Sequence, residues 1–391
     1  MADQETPILV RLTAPLPAER GLRFGARSAL RALEPLAGVP GSGGEARAGR
    51  RSAMGRAGAW HVATPSRAAG SAWDACHALL REGLGVAGAP AVELAEPDLQ
   101  QEWPWRLPPR PAFAAAGCAG PRPQDGDGYP LYRDGSGYDD ANHSGLAAAR
   151  AAVGEPPARD RVRIAQLDTG YDPAHLTRPR HLRRDLERSF VGRGEPLADA
   201  TDVDVGRLDL WQGHGTATLA LLAGSGDQGT PPGGAASLEV VPLRVADSVA
   251  LFWTSAVARA LGYVLELGRD PSTAIDVVTM SMGGVASAAW TDCVNALYEA
   301  GVVVVTAAGN NWGHLPTRFT VFPARFRRVL AAAGVMADGR PFADLPRRKL
   351  AGCYGPRSKQ ATTLSAYTPN VPWARMGCPT VVDLDGTGTY Q

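Results

Sequence analysis

Short apolar runs alternate with helix-spaced stretches along the second half of this chain, and that alternation limits the fold more than any other feature. Residues 162–167 read as a strand ending at Asp168-Thr169-Gly170. Residues 238–245, 275–282, 302–306 and 329–335 read as further strands; the second of these runs into Gly283-Gly284 and the third into Ala307-Ala308-Gly309-Asn310. Between them, residues 217–224, 254–267 and 288–300 carry helical spacing. Strands that alternate with helices imply an α/β fold, a parallel sheet flanked by helices on both faces. Functional groups in such sheets gather at the carboxyl ends of the strands. Asp168 and Asn310 both fall at such ends. His214 opens the first helix, between glycines that let other backbone approach closely.

The region before this pattern is organised differently. Residues 1–98 read as a small α+β unit: a strand near 8–12, a helical stretch with Trp73, Cys76, Leu79 and Leu80 on one face and His77 at its edge, and an alternating run that stops at Pro97. Proline-rich and Asp/Gly-rich residues 99–160 read as a linker holding one short helix near 146–153. The main domain is then 161–391.

Charge and composition exclude several classes. Lys+Arg 40 against Asp+Glu 39 leaves a net charge of +1, so no global field draws nucleic acid or an anionic membrane. No apolar stretch reaches the ~18 residues of a membrane span. The N-terminus Met-Ala-Asp-Gln-Glu-Thr-Pro lacks a basic segment followed by an apolar one. The five cysteines are scattered without a CxxC pair, which argues against a disulfide framework or a zinc site. A cytoplasmic monomer is the expectation. Asp199, Asp202, Asp204 and Asp209 lack EF-hand spacing and read as a solvated loop rather than a calcium site. Arg178, Arg180, Arg183, Arg184 and Arg188 read as a solvated surface insertion.

An aspartate at one strand end and a histidine opening a helix can form an acid–base pair. The carboxylate takes the Nδ1 proton, fixes the tautomer and leaves Nε2 as general base. An asparagine at a third strand end can aim its amide at a developing oxyanion. In their order, Asp168-Thr169-Gly170, Gly213-His214-Gly215-Thr216, Met280-Ser281-Met282-Gly283-Gly284 and Ala307-Ala308-Gly309-Asn310 resemble the motifs of the subtilisin-like serine proteases, the subtilases. The resemblance covers about residues 161–391. It implies a serine endopeptidase lineage in which Asp168 and His214 belong to the charge relay. It also implies that Ser281, Gly283 and Gly284 line the substrate cleft, that Asn310 contributes to the oxyanion hole, and that no cofactor is needed. Residues 92–98 resemble the last strand of a subtilase inhibitory prodomain.

The sequence departs from the family at its nucleophile. Family members carry the serine after Gly-Thr; here Gly388-Thr389 is followed by Tyr390. A phenol on that pivot is too long to stand in for the serine hydroxyl. Ser365 loosely mimics a nucleophile motif but lacks the preceding Gly-Thr. The chain as written is therefore expected to be inactive, either as an incomplete endopeptidase sequence or as a pseudoprotease that binds peptides or a partner without cleaving.

Overall fold

A computed structural model describes residues 6–14, 16, 29–36, 39, 59–66, 70–102, 143–192, 194, 196–202, 213–227, 232–249, 251–310, 318–336, 339, 341–342, 352–368, 372–374 and 382–384. In chain order these residues form β1 (Ile8–Leu12), β2 (Leu30–Pro35), β3 (Ala59–Pro65), α1 (Ala72–Glu82), β4 (Val92–Pro97) and β5 (Gln100–Glu102). Next come α2 (Leu146–Val153), β6 (Arg163–Asp168), β7 (His181–Leu182), β8 (Arg188–Ser189), α3 (His214–Ala223) and β9 (Glu239–Arg244). Then follow β10 (Leu251–Trp253), α4 (Thr254–Leu267), β11 (Val277–Met280), α5 (Ala288–Glu299), β12 (Val303–Ala307) and β13 (Val329–Val335). The last strands are β14 (Thr363–Tyr367), β15 (Pro372–Ala374) and β16 (Val382–Leu384).

The elements divide into two compact units. One comprises Met1–Gln101, Trp253–Ala274 and Ala286–Val302; the other comprises the remainder. Helices α4 and α5 thus belong with the N-terminal residues.

In the first unit an antiparallel sheet runs β2-β3-β1-β4. Alternation along β1 splits its side chains between two faces. Ile8, Val10 and Leu12 pack with Ala75, Cys76 and Leu79 of α1. Arg11 points the other way, and its Nη1 and the Nε1 of Trp60 both donate to Asp292 Oδ2 of α5, at 2.8 and 2.9 Å. Helices α4 and α5 are tied by Trp290 Nε1, which donates to the Thr254 carbonyl at 2.8 Å. Each helix has unpaired N–H groups at its start, which a carboxylate satisfies best. Glu96 accepts from the Ala288 N–H at 3.0 Å and the Ser287 hydroxyl at 2.8 Å. Asp98 accepts from the Ser255 N–H at 2.8 Å and the Ser255 hydroxyl at 2.6 Å.

The helical face read from Trp73, Cys76, Leu79 and Leu80 needs correction. Cys76 and Leu79 are buried, whereas Trp73 and Leu80 are 56% and 48% exposed and His77 is exposed as well. The buried stripe of α1 is narrower than its apolar content. Strands β2 and β3 were not legible as strands. β2 is an edge strand that buries only Leu30, and β3 buries Trp60 and His61 consecutively, which breaks a period of two.

The second unit is built on an eight-stranded sheet, β14-β13-β12-β11-β6-β9-β7, with β8 also beside β9. All its pairings are parallel. β6 lies centrally and is buried from Ile164 to Asp168, as a strand between two neighbours demands. The segment that carries the arginine run contributes β7 and β8 to this sheet, and Arg178, Arg180 and Arg184 on it are exposed. Arg180 pairs with Asp227 at 2.6 Å, and Arg183 with Asp185 at 2.8 Å. Among the described residues, no helix is long and apolar enough to cross a membrane. Cys76, Cys293 and Cys353 are buried thiols, and burial pushes Cys76 up to about 12; Cys118 and Cys378 lie outside the described residues.

Candidate active site

Register places the sequence motifs along one edge of the second sheet. Leu167 of β6 pairs with Met280 of β11, and Met280 pairs with Thr306 of β12. Asp168, Ser281 and the segment Ala307–Asn310 therefore leave three neighbouring strands at their carboxyl ends.

Two glycines bring α3 to Asp168. Gly215 lies so close to the end of β6 that an added Cβ would sit 2.0 Å from the Gly170 carbonyl oxygen. Gly170 itself has φ +99°, and its Cβ would meet the Ala200 carbonyl oxygen at 2.5 Å. Only glycine fits either position. With the helix start seated this closely, His214 Nδ1 lies 2.7 Å from Asp168 Oδ1, and both side chains are buried, at 3% and 2% exposure. An ionised carboxylate only accepts, so this bond puts the imidazole proton on Nδ1. In the neutral ring Nε2 is then the nitrogen that carries no proton.

Further groups hold the pair. The Thr169 N–H donates to Asp168 Oδ1 at 2.7 Å, and the Thr218 hydroxyl lies 2.9 Å from Asp168 Oδ2. Thr169 Oγ1 accepts from the Gly215 N–H at 3.0 Å and donates to Asp202 Oδ2 at 3.1 Å. Asp202 Oδ2 also accepts from the Gly213 N–H at 3.0 Å. Asp202 is not the solvated loop acid the sequence suggested. It is buried at 6% exposure, and desolvation raises its carboxyl to about 6 despite the stabilising bonds from Gly213 and Thr169 and the nearby charge of Arg244. Asp204 and Asp209 lie outside the described residues.

The Gly283-Gly284 and Gly309 segments meet at Val321-Phe322. A Cβ on Gly283 would lie 2.4 Å from Val321 Cγ2, and one on Gly309 would lie 2.8 Å from Val321 Cγ1. Gly284 and Phe322 exchange backbone hydrogen bonds at 2.8 and 3.0 Å. Asn310 forms a bridge with Gly352, and the Cys353 N–H donates to the Gly309 carbonyl at 2.8 Å. Ser365 sits within β14 opposite Ala333. Tyr390 lies outside the described residues.

Sequence reasoning missed Gln166, Thr169, Thr218 and Asp202 as contributors. Thr169 was within reach because it belongs to the Asp-Thr-Gly motif; the other three carry no local signal.

Residues 159–382 match the sequence model of the subtilase family. The cell wall-associated protease of Bacillus subtilis is 28% identical over 149 residues, 38% of this chain and 15% of that protein. Subtilisin DY of Bacillus licheniformis is 28% identical over 175 residues, 44% of this chain and 56% of that protein. A subtilisin-like protease of Coccidioides posadasii is 28% identical over 183 residues, 46% of this chain and 39% of that protein. The matched part thus spans less than two thirds of each relative. Among solved structures, a psychrophilic protease aligns with TM-score 0.46 at 20% identity, over 59% of this chain and 74% of that one.

Proposed function

The chain belongs to the subtilase family, and on that basis we propose that Asp168 and His214 form the acid–base half of a serine-type endopeptidase centre. The observation that carries this reading is the buried 2.7 Å contact between His214 Nδ1 and Asp168 Oδ1 at a strand end of the parallel sheet. Asp168 holds the imidazole in one tautomer and stabilises the imidazolium that forms. With a serine at the nucleophile's place, His214 Nε2 would take the proton of the attacking hydroxyl and return it to the leaving amine, and peptide-bond cleavage would proceed through an acyl-enzyme. Asn310 supplies an amide to the oxyanion, while Ser281, Gly283 and Gly284 form the edge against which an extended peptide lies. No step requires a cofactor.

The nucleophile is the missing participant in this scheme. Tyr390 follows Gly388-Thr389 where the family has serine. The 391-residue polypeptide is therefore proposed not to form an acyl-enzyme. Incubation with a fluorophosphonate probe is expected to leave it unlabelled. Labelling that disappears in His214→Ala would overturn this part of the reading.

Residues 1–98 are proposed to act as a prodomain-like unit. Glu96 and Asp98 support this, because the helices they cap, α5 and α4, both lie inside the segment that matches the family. The same tyrosine favours a second reading, in which the chain binds peptides without cleaving them. Peptide binding without hydrolysis, followed by calorimetry against a peptide library, separates the two.

A further inference from the structure

The hydrogen bonding behind Asp168 is more extensive than an Asp–His pair needs. Thr218 lies one turn after His214 on α3, where a threonine hydroxyl usually bonds back to the carbonyl four residues earlier. Three acceptors compete for its single proton: Asp168 Oδ2 at 2.9 Å, the His214 carbonyl at 3.1 Å and the Gly215 carbonyl at 3.3 Å. Gln166, on β6 two residues before Asp168, decides the outcome. Its Nε2 donates to Thr218 Oγ1 at 2.7 Å and to the Gly215 carbonyl at 3.2 Å. One N–H fills the hydroxyl's acceptor side, and the other satisfies a carbonyl that would draw the hydroxyl proton away. The proton then goes to the nearest and only charged acceptor, the Asp168 carboxylate. Gln166 is buried at 4% exposure, so its amide is held by these partners rather than by water.

We infer that Thr218 and Gln166 are positioning residues for the Asp168–His214 pair, with Gln166 acting through the Thr218 hydroxyl on the second carboxylate oxygen. Asp168 Oδ1 serves His214 and the Thr169 N–H, while Oδ2 is held by Thr218, so the carboxylate plane is fixed at both ends. This inference rests on the acid–base role proposed above for His214. It differs from a packing role because it predicts an electronic effect at the imidazole. Removing the hydroxyl takes away a donor that shares the carboxylate's negative charge, which strengthens the bond from His214 Nδ1–H.

The test is the low-field proton resonance of His214 Nδ1–H in the ¹⁵N-histidine-labelled full chain, assigned by its loss in His214→Gln. Thr218→Val is expected to move this resonance downfield, and Thr218→Ser, which keeps the hydroxyl, to restore it. Gln166→Met is expected to move it the same way by less. The double variant Gln166→Met/Thr218→Val should move it no further than Thr218→Val alone. A folded Thr218→Val chain with an unmoved resonance overturns the inference, as does additivity in the double variant. Should Thr218→Val fail to fold, Gln166→Met against Thr218→Ser decides the same question: an unmoved resonance in Gln166→Met overturns it. None of these readouts needs peptide turnover. A labelled or unlabelled fluorophosphonate result therefore bears on the proposed function and leaves this test independent.

Discussion

Each compact unit buries a carboxylate, and the two are used in opposite ways. Asp98 in the first unit is fully buried and bonds the N–H and hydroxyl of one residue, Ser255, near the start of α4. Asp168 in the second is equally buried, yet its partners include an imidazole. The first carboxylate completes a helix terminus, and its worth is stability. The second carboxylate contacts His214 Nδ1 at 2.7 Å, and the worth proposed for it is chemical. Burial with satisfied hydrogen bonds is common to both; the titratable partner makes the difference.

Four substitutions sharpen that comparison. The largest effect is expected at Gly215→Ala, whose Cβ would lie 2.0 Å from the Gly170 carbonyl oxygen. Backbone must move there, and chemical denaturation should show a loss on the order of 4 kcal/mol, together with loss of the Asp168–His214 contact. A loss under about 1 kcal/mol would show that α3 is not seated on the end of β6 as described.

Asp202→Asn comes next and carries the opposite sign. Unfolded Asp202 titrates near 3.8 and folded Asp202 near 6, so the folded chain binds the extra proton between those values. The resulting stability is full below the unfolded value and is lost as pH rises through about 6. Asparagine keeps an acceptor for Gly213 and Thr169 without the buried charge. It should stabilise the chain above pH 6 by at most about 3 kcal/mol and flatten the slope of stability against pH below that. An unchanged slope would place the titrating group elsewhere.

Asp98→Ala is expected to cost about 2 kcal/mol by leaving the Ser255 N–H unpaired, with no change at His214 in the same NMR spectrum. A change at His214 would break the division of labour between the two carboxylates. Trp73→Ala, on the exposed face of α1, should shift stability by under about 0.5 kcal/mol.

Much of the second unit was legible because its signals are local. The run from Ile164 to Leu167 is mostly apolar and is closed by the Asp168-Thr169-Gly170 motif. The glycines around His214 announce a close approach before any partner is known. The residues that stayed hidden depend on distant parts of the chain. Thr218 sits in an apolar helical run and Gln166 in an apolar strand, and their partnership spans 52 residues. Asp202 reads as one more acid in a polar stretch until Thr169 and Gly213 close over it. Glu96 is legible as part of a strand, but the helix start it caps lies 192 residues away at Ala288. Trp73 and Leu80 fit a helical face in sequence, yet helical spacing alone does not say how wide a stripe the sheet will cover.

The account's central claim is that Asp168 fixes the His214 imidazole with its proton on Nδ1. Histidine ¹⁵N chemical shifts of the full chain at neutral pH test it most directly, with Asp168→Asn as the comparison. The expected result is a His214 tautomer protonated at Nδ1 and bare at Nε2, lost when Asp168 becomes asparagine. A His214 protonated at Nε2, or one whose tautomer is indifferent to Asp168→Asn, would contradict the claim and remove the base from the proposed centre.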